Sequence, residues 1–357
     1  MPLPDLLREL LTAAGPSGYE TAPAAVFARA GRAFTDDVEI DVMGSVAARV
    51  AGTSDPAHPA PFLAIVGHID EIGLIVTHID DDGFLRFQGV GGWDPLILVG
   101  QRVEIGTRDG VVAGVAGRKA IHLLREEERE KVPKLRDLHI DIGAKDGDEA
   151  RGLVRIGDVA VIAGEPLELR NDRVVSRSMD NRLGAFIALE AARLVAEAGG
   201  APGDVAALGV VQEEITFGGA RTSAFALRPD VAIVVDVTHE TGSPGVDVNE
   251  IGKHVFGSGP VIERGSIPNP AVFELLHDAA EREQIPFTIA ASARSTGTDA
   301  DALHISRAGI PTGGVSVVLR YMHSSVEMVQ LDDVHACAKL IAAFAQSLHA
   351  ETSFARA

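Results

Sequence analysis

The chain of 357 residues is 46% hydrophobic and 23% charged, as expected for a globular protein that buries a core. Its 51 acidic residues outnumber 32 basic ones, and the formal net charge of −19 argues against nucleic acid and anionic membranes as partners, because both need a cationic surface. Cys337 is the only cysteine, which excludes a disulfide framework and a thiolate metal site, so any metal must bind His, Asp or Glu.

The length and the N-terminal sequence bear on domains and location. A chain of this length predicts a main domain with a smaller second one. Residues 1–11 mix charges into their apolar pattern, unlike the apolar segment of a signal peptide, and no run of about 18 apolar residues is present to span a membrane. We therefore expect a cytoplasmic protein.

The N-terminal part of the chain predicts two helices followed by two strands. Leucines repeat at helical spacing between Leu6 and Leu11. The run at 61–67 is continuously apolar, which is typical of a strand buried on both faces, and it leads into His68 and Asp70. The predicted elements are helices at 4–13 and 22–33 and strands at 38–42 and 61–67.

The secondary-structure pattern of the sequence changes between about residues 74 and 174. Short β-rich runs separated by turns such as Asp81-Asp82-Gly83 replace long helical patterns, which suggests a small β-barrel or sandwich inserted into the main domain. The charged run 125–131 predicts a solvated loop or a short exposed helix, and Gly89–Gly92 predicts a tight turn. The predicted strands of this insert include 84–87, 96–99 and 159–162.

Alternating helices and strands return after about residue 175, so the main domain is expected to comprise residues 1–73 and 175–357. The apolar run 205–211 leads into the adjacent carboxylates Glu213 and Glu214. An extended backbone here would send these two side chains to opposite sides. The remaining predicted elements are helices at 180–198, 219–227, 270–283, from about 299, and 332–348, and strands at 231–235 and 315–319.

Four of the apolar runs end in side chains that can bind metals. The carboxyl ends of parallel strands lie at one edge of an open α/β sheet, where ligands bind, so these side chains are expected to converge. Each residue alone fits an ordinary role as a cap, a turn former or a satisfied polar group, and their joint placement at strand ends is what favours a site. The other histidines, including His239, lack this setting. The runs end in His68-Ile69-Asp70, Glu213-Glu214, Asp236 and His323, and Asp180 opens a helix.

This inventory meets the needs of a two-metal hydrolase: a bridging carboxylate, further His and carboxylate ligands, a bridging water and a free base. Three carboxylates opposite two divalent cations leave one positive charge for a bridging hydroxide, and zinc lowers the pKa of a bound water from about 15.7 to about 7. We assign Asp180 as the bridge and Glu213 as the base, and Asp70 would orient His68. The remaining ligands pair as His68 with Asp236 on one metal and Glu214 with His323 on the other.

Six motifs follow one another along most of the chain: Val66–Gly73, Gly91–Pro95, Ser178–Arg182, Gln212–Glu214, Gly297–Ala300 and Arg320–Ser324. Together they resemble the glutamyl and deblocking aminopeptidases, the tetrahedral (TET) aminopeptidase family, and they run in that family's order. One segment, Ile215 to Ala220, departs from the family's more usual Val/Ile-Gly-Leu-Arg-Gly-Ala. The glutamate pair before it is intact, so the departure bears on loop shape and substrate preference rather than on the chemistry.

The resemblance implies a phosphorylase/hydrolase-like three-layer catalytic domain with an inserted small β-barrel domain at 74–174 for assembly and access. It implies an exopeptidase that uses two Zn²⁺ or Co²⁺ ions per subunit and removes N-terminal residues from short peptides by attack of a metal-bridging hydroxide. Family members commonly form dodecameric tetrahedral shells, so a homododecamer is expected. By similarity the ligands are His68, Asp180, Glu214, Asp236 and His323, with Glu213 as general base and Asp70 supporting His68.

Two other functions fit the same inventory. A di-metal carboxypeptidase or deacylase would share the site, and a non-catalytic metal-binding assembly subunit would keep the ligands without turnover. The retained Glu213 favours an enzyme over the second of these. The sequence leaves open the preferred N-terminal residue, acidic or aliphatic, and the choice between Zn²⁺ and Co²⁺, since His and carboxylate ligands suit both.

Overall fold

The computed structural model describes residues 2–356. The strands are β1 (Val38–Ile40), β2 (Val46–Val50), β3 (Leu63–His68), β4 (Gly73–Ile79), β5 (Leu85–Val90), β6 (Arg102–Thr107), β7 (Gly110–Gly117), β8 (His139–Asp141), β9 (Val159–Ile162), β10 (Leu167–Glu168), β11 (Arg173–Ser176), β12 (Val205–Val210), β13 (Val231–His239), β14 (Val261–Gly265), β15 (Thr288–Ser292), β16 (Thr312–Leu319) and β17 (Glu327–Gln330). The α-helices are α1 (Asp5–Thr12), α2 (Thr21–Gly31), α3 (Pro95–Leu98), α4 (Glu126–Arg129), α5 (Gly147–Leu153), α6 (Met179–Glu197), α7 (Glu213–Thr216), α8 (Gly218–Leu227), α9 (Val248–Ile251), α10 (Pro270–Arg282), α11 (Ala300–Leu303) and α12 (Leu331–Gln346).

An eight-stranded sheet with the order β1-β2-β12-β3-β13-β16-β14-β15 forms the centre of the molecule. Its middle strands β12, β3, β13 and β16 are parallel, whereas β2 and β14 pair antiparallel with their inner neighbours. Every residue of β3, β12 and β16 is buried. This burial explains why the sequence of these strands is mainly apolar rather than alternating, with His68, Thr312 and Ser316 as the polar members.

Helices cover both faces of this sheet and complete three layers. Alternate residues of β3 divide between two cores: Leu63 and Ile65 pack in the core under α1, α2, α6, α10 and α12, and Ala64 and Val66 pack in the core under α8 and α11. Successive side chains of a strand point to opposite faces, so one apolar run supplies both cores. The predicted three-layer α/β architecture is confirmed.

Helix α6 lies directly on β3 because two glycines meet at the contact. A Cβ atom added to Gly67 would come within 2.3 Å of the carbonyl carbon of Gly184. The two backbones therefore touch with no side chain between them, as glycine alone permits. This close approach sets the start of α6, with Asp180, next to the end of β3, with His68.

The insert is a closed barrel of six strands in the order β4-β5-β8-β7-β6-β9, which decides between the two forms that the sequence allowed. The barrel strands run from Gly73 to Ile162 and enclose a separate apolar core that includes Leu74, Leu85 and Ile105. Closure leaves no open sheet edge in this part of the protein. The expected small β-barrel is thus confirmed.

The strand predicted at 96–99 was wrong, since these residues form the short helix α3. The Asp94 carboxylate accepts a hydrogen bond from the Leu96 backbone N–H at 2.9 Å, and Pro95 occupies the first helical position. An Asp cap followed by Pro is a helix-start signal that outweighs the local apolar pattern. The charged run 125–131, by contrast, contains the exposed helix α4, as expected.

In the part of the chain that the structure describes, none of the helices combines the length and apolar character that crossing a membrane would require.

Candidate active site

The candidate site lies where β3 and β13 separate at their carboxyl ends. The parallel pairing of these strands stops at Val66 and Val234, whereas β13 continues beside β16 as far as His239. A crevice opens between strands that part in this way, and open α/β sheets bind ligands in such crevices. Asp236 therefore lies within β13 and not after its end, and it faces the gap left by β3.

The two adjacent glutamates lie on the short helix α7, so the expectation that an extended backbone would separate them was wrong. Gln212 has φ = 60°, and this left-handed residue ends the strand direction of β12. The backbone N–H groups of Glu213 and Glu214 then both donate to the Asp70 carboxylate, each at 3.1 Å. The Asp70 carboxylate thus binds the backbone of both glutamates, and their two side chains line the same cavity.

His68 is buried at the end of β3 among carboxylates. Its Nε2 lies 3.2 Å from Asp180 Oδ1 and 3.7 Å from Glu213 Oε2. On the other side of the ring, Nδ1 lies 3.3 Å from Asp70 Oδ1. Asp70 also accepts a hydrogen bond of 2.5 Å from the Ser17 hydroxyl, which fixes the carboxylate from behind. This arrangement has the form of a carboxylate that orients a ligand histidine.

His323 lies opposite, on the turn that follows β16. Its Nε2 is 3.3 Å from Asp180 Oδ2 and 3.4 Å from Glu214 Oε1. Its Nδ1 donates to the carbonyl oxygen of Gly92 at 2.9 Å, which orients the ring so that Nε2 faces the two carboxylates. Gly92 belongs to the inserted part of the chain, so the insert supports one side of the site.

The residues present fit divalent cations. Two sets of potential ligand atoms each lie within 4.8 Å of one another: His68, Asp180 and Glu214, and His68, Glu213 and Asp236. Glu214 Oε1 is buried, and His323 Nε2 lies 3.4 Å from it, close enough for both atoms to bind one cation. A donor set of imidazoles and carboxylates without thiolates suits Zn²⁺ and Co²⁺.

The electrostatics show how much negative charge is crowded here. Burial raises the pKa of Glu213 to about 9, and burial with the charge of Asp180 raises the pKa of Asp236 well above its ordinary value. Hydrogen bonds to Asp180 and Glu214 raise the pKa of His323 to about 11. Burial opposes ionisation of Asp180, but hydrogen bonds from His323 and His68 prevail and hold its pKa well below normal. Without cations, bound protons therefore reduce the repulsion between the carboxylates of this cluster.

The structure brings all seven residues that the sequence singled out into one cluster, and it adds residues that the sequence did not identify. Asp299 is buried near Glu213 and Asp236, and its Oδ1 has no hydrogen-bond partner among the described residues. His239, which the sequence left without a role, lines the cavity. The sequence could have indicated Asp299 as a site residue, because it lies in the Gly297–Ala300 motif. For His239 the only indication was its short distance from Asp236 along β13.

A cavity of about 550 Å³ opens over the cluster. Phe217, Val237 and Met322 supply apolar walls, and Thr296, Gly297 and Thr298 form a polar edge. The cavity has the volume of a site for a few amino-acid residues. Phe217 belongs to the segment that departs from the family pattern, so this departure changes a residue that lines the cavity.

Comparison with known proteins shows the family of this chain. Residues 44–340 match the family model described as M42 glutamyl aminopeptidase. The lysyl aminopeptidase of Pyrococcus furiosus is 34% identical over 350 residues, covering 96% of this chain and 97% of that protein. The TET aminopeptidase of a Thaumarchaeota archaeon from marine sediment matches with a TM-score of 0.91 at 33% identity, covering 97% and 96% of the two chains.

A further solved structure is that of the TET1 peptidase of Pyrococcus horikoshii, which can assemble into a tetrahedron or a large octahedral shell. It matches with a TM-score of 0.83 at 31% identity, covering 96% of this chain and 99% of that one. The family that the motifs indicated is confirmed. Since the family model spans most of the chain and the relatives align over nearly all of it, this protein belongs to the M42 glutamyl aminopeptidase family and is an aminopeptidase.

Proposed function

We propose that this aminopeptidase is a two-cation enzyme that removes uncharged N-terminal residues from short peptides. The observation that carries the proposal is the Asp180 carboxylate, whose two oxygens face the Nε2 atoms of two histidines, 3.2 Å from His68 and 3.3 Å from His323. A carboxylate shared in this way is the natural bridge between two cations. Asp236 would complete the His68 side, and Glu214 would complete the His323 side.

The chain's own residues divide the work of the reaction. Bound divalent cations, Zn²⁺ or Co²⁺, would supply positive charge that activates a water and polarises the scissile carbonyl. Glu213 takes the proton of the attacking water on its carboxylate and delivers it to the leaving amine. Asp70 holds Glu213 in place through the backbone N–H.

Glu213→Gln tests the role of the base. The amide keeps the size of the side chain but cannot accept the proton, so kcat should fall about 10² to 10⁴-fold while two cations remain bound. The measurement combines steady-state kinetics with elemental analysis. Glu263→Gln is a matched control, because Glu263 is half-buried and accepts from Ser316 but lies outside the cluster. Normal kcat in Glu213→Gln with a full complement of cations contradicts the assignment.

A substrate panel separates the alternative functions. We expect hydrolysis of aminoacyl anilides and of short peptides with a free amine, and none of their N-acylated forms. A deacylase would prefer the acylated forms, and a carboxypeptidase would release residues from the other end. Failure on the entire panel after addition of Co²⁺ or Zn²⁺ would favour a non-catalytic assembly subunit.

The cavity lining supports the proposed preference for uncharged N-terminal residues. Beyond the proposed ligands and Glu213, the described lining residues are neutral side chains or glycines, apart from His239. A glutamyl side chain needs a cationic partner and a lysyl side chain needs a carboxylate, and burying either one unpaired is costly. Within the panel, leucyl and methionyl substrates should exceed glutamyl and lysyl substrates in kcat/KM by at least about tenfold. A reversed order would overturn the preference.

We further propose a homo-oligomer, as a tetrahedral dodecamer, in the cytoplasm. The TET1 peptidase of Pyrococcus horikoshii forms closed shells, and this chain is similar to it over nearly its whole length. The inserted domain, expected at 74–174, exposes large apolar side chains, as a surface that assembles does. These include Val111, Ile121, Leu123 and Val132. Light scattering coupled to gel filtration tests the assembly, and a monomeric mass contradicts it.

A further inference from the structure

The short strand β17 lies beside two irregular turns. One is at the start of α6 and carries Asp180, and the other follows β16 and carries His323. Strand β17 pairs antiparallel with β11, with Glu327 opposite Ser176, four residues before Asp180. Its second residue, Met328, forms an isolated antiparallel bridge with Arg320, three residues before His323. Glu327, the first residue of β17, therefore lies close to both turns.

The Glu327 side chain binds the main chain of both turns. Its Oε1 accepts from the His323 backbone N–H at 2.8 Å, and its Oε2 accepts from the Asp180 backbone N–H at 3.2 Å. The residue is only 2% exposed. A buried carboxyl group that accepts from two backbone N–H groups orders both, because leaving either N–H buried without a partner would be costly.

Both turns need this support, since neither has a regular backbone. Tyr321 and His323 have φ values of 60° and 59°, and Ser178 has φ = 59°. Non-glycine residues seldom adopt this left-handed region, and they keep it where the surroundings impose it. His68, by contrast, is held by the pairing of β3 with β12.

We propose that Glu327 is a positioning residue that fixes Asp180 relative to His323, so that their side chains are arranged for a cation before it binds. The inference rests on the proposed two-cation function. Asp180 Oδ2 and His323 Nε2 are 3.3 Å apart, and the backbone of each is bound by the same carboxylate. Residues that orient metal ligands in this way typically change metal affinity 10 to 100-fold when altered.

Glu327→Gln tests the proposal, since the amide turns an NH₂ group toward one of the two N–H donors. The matched control is Asp333→Asn. Asp333 is likewise buried, and its carboxylate accepts from the backbone N–H groups of Gly257 and Gly259, both at 2.8 Å, away from the site. The two substitutions remove the same kind of carboxylate from the same kind of environment.

The readout is calorimetric titration of the metal-free proteins with Co²⁺, together with the visible absorption of the bound Co²⁺. We expect Glu327→Gln to bind the weaker of two Co²⁺ ions about 10 to 100-fold less tightly, with an altered spectrum. Asp333→Asn should match the unaltered protein in both. Equal affinity in Glu327→Gln and the unaltered protein, or an equal loss in Asp333→Asn, overturns the inference.

Two additions keep the experiment decisive. If Glu327→Gln does not fold by circular dichroism, Glu327→Asp replaces it in the experiment, since it keeps both acceptor oxygens on a shorter side chain. Glu327→Asp should fold and bind the second Co²⁺ less tightly, and unaltered binding overturns the inference.

The unaltered protein distinguishes failure of the two-cation function from failure of the role of Glu327. If it binds fewer than two Co²⁺ ions, the two-cation function fails. If it binds two and the variants behave alike, the role of Glu327 alone fails.

Discussion

The two histidine sides of the site are built in different ways. His68 ends a central strand, its side chain is 1% exposed, and β3 pairs with β12 as far as this residue. His323 sits on a turn with a left-handed backbone, its side chain is 34% exposed, and its supports are a carbonyl from the insert and the Glu327 carboxylate. One histidine is placed by the pairing of its strand, and the other by hydrogen bonds to the Glu327 side chain and to a carbonyl of the insert.

The His68 side of the site is therefore held rigidly, whereas the His323 side depends on its surroundings. Strand pairing positions His68 through backbone hydrogen bonds that any sequence can form, so its support is general. The position of His323 depends on particular side chains and on a contact with Gly92 of the insert. We therefore expect the His323 side to be weaker and more sensitive to substitution than the His68 side.

The largest effect is expected from Asp180→Ala, because Asp180 contacts both sides. Loss of the carboxylate leaves both proposed cation positions without their shared ligand, so elemental analysis should find neither cation and no measurable hydrolysis. His323→Ala provides the comparison, since it removes a ligand from one side and should leave one cation bound on the His68 side. An Asp180→Ala protein that retains two cations contradicts the bridge.

The next effect is a dependence of cation affinity on pH. Burial raises the pKa of Glu213 to about 9, and hydrogen bonds to Asp180 and Glu214 raise the pKa of His323 to about 11, so both hold protons at pH 7 in the metal-free protein. Cations favour the deprotonated forms, and affinity should rise about tenfold per pH unit for each proton released.

Co²⁺ titrations at pH 6, 7 and 8 measure this dependence, and calorimetry in buffers of different ionisation enthalpy counts the protons. His323→Ala should release fewer protons than the unaltered protein, which assigns part of the effect to the weaker side. Affinity that stays constant between pH 6 and 8 contradicts the proposed exchange of protons for cations.

The smallest effects come from a pair of glycines, one on each side. A Cβ on Gly67 would meet the Gly184 backbone at 2.3 Å, so Gly67→Ala should lower the free energy of unfolding by more than about 2 kcal/mol. A Cβ on Gly92 would lie 3.4 Å from His323 Nδ1, an ordinary contact, so Gly92→Ala should change it by less than about 0.5 kcal/mol. Urea denaturation of the metal-free proteins measures both. Equal effects would show that the two sides are supported alike.

Local sequence predicted the parts of the fold that depend on burial. The apolar runs identified β3, β12 and β16, because strands buried on both faces carry mostly apolar side chains. The prediction failed at Leu96–Val99, where an Asp cap and Pro95 start a helix in an apolar run. It also failed at the glutamate pair, where the left-handed Gln212 converts the end of a strand into a helix.

The sequence identified the alternation of helices and strands, the β-rich insert and the seven candidate residues, because strand ends and residue chemistry are local properties. The three-layer arrangement was implied by the family resemblance. The folded chain was needed to show that the insert closes into a barrel and that both glutamates line one cavity. It also placed Glu327 and Gly92 beside the proposed ligands. The contacts of Glu327 with Asp180 and of Gly92 with His323 join residues far apart in the chain through the pairing of β17 with β11 and the docking of the insert, and no local pattern encodes such pairings.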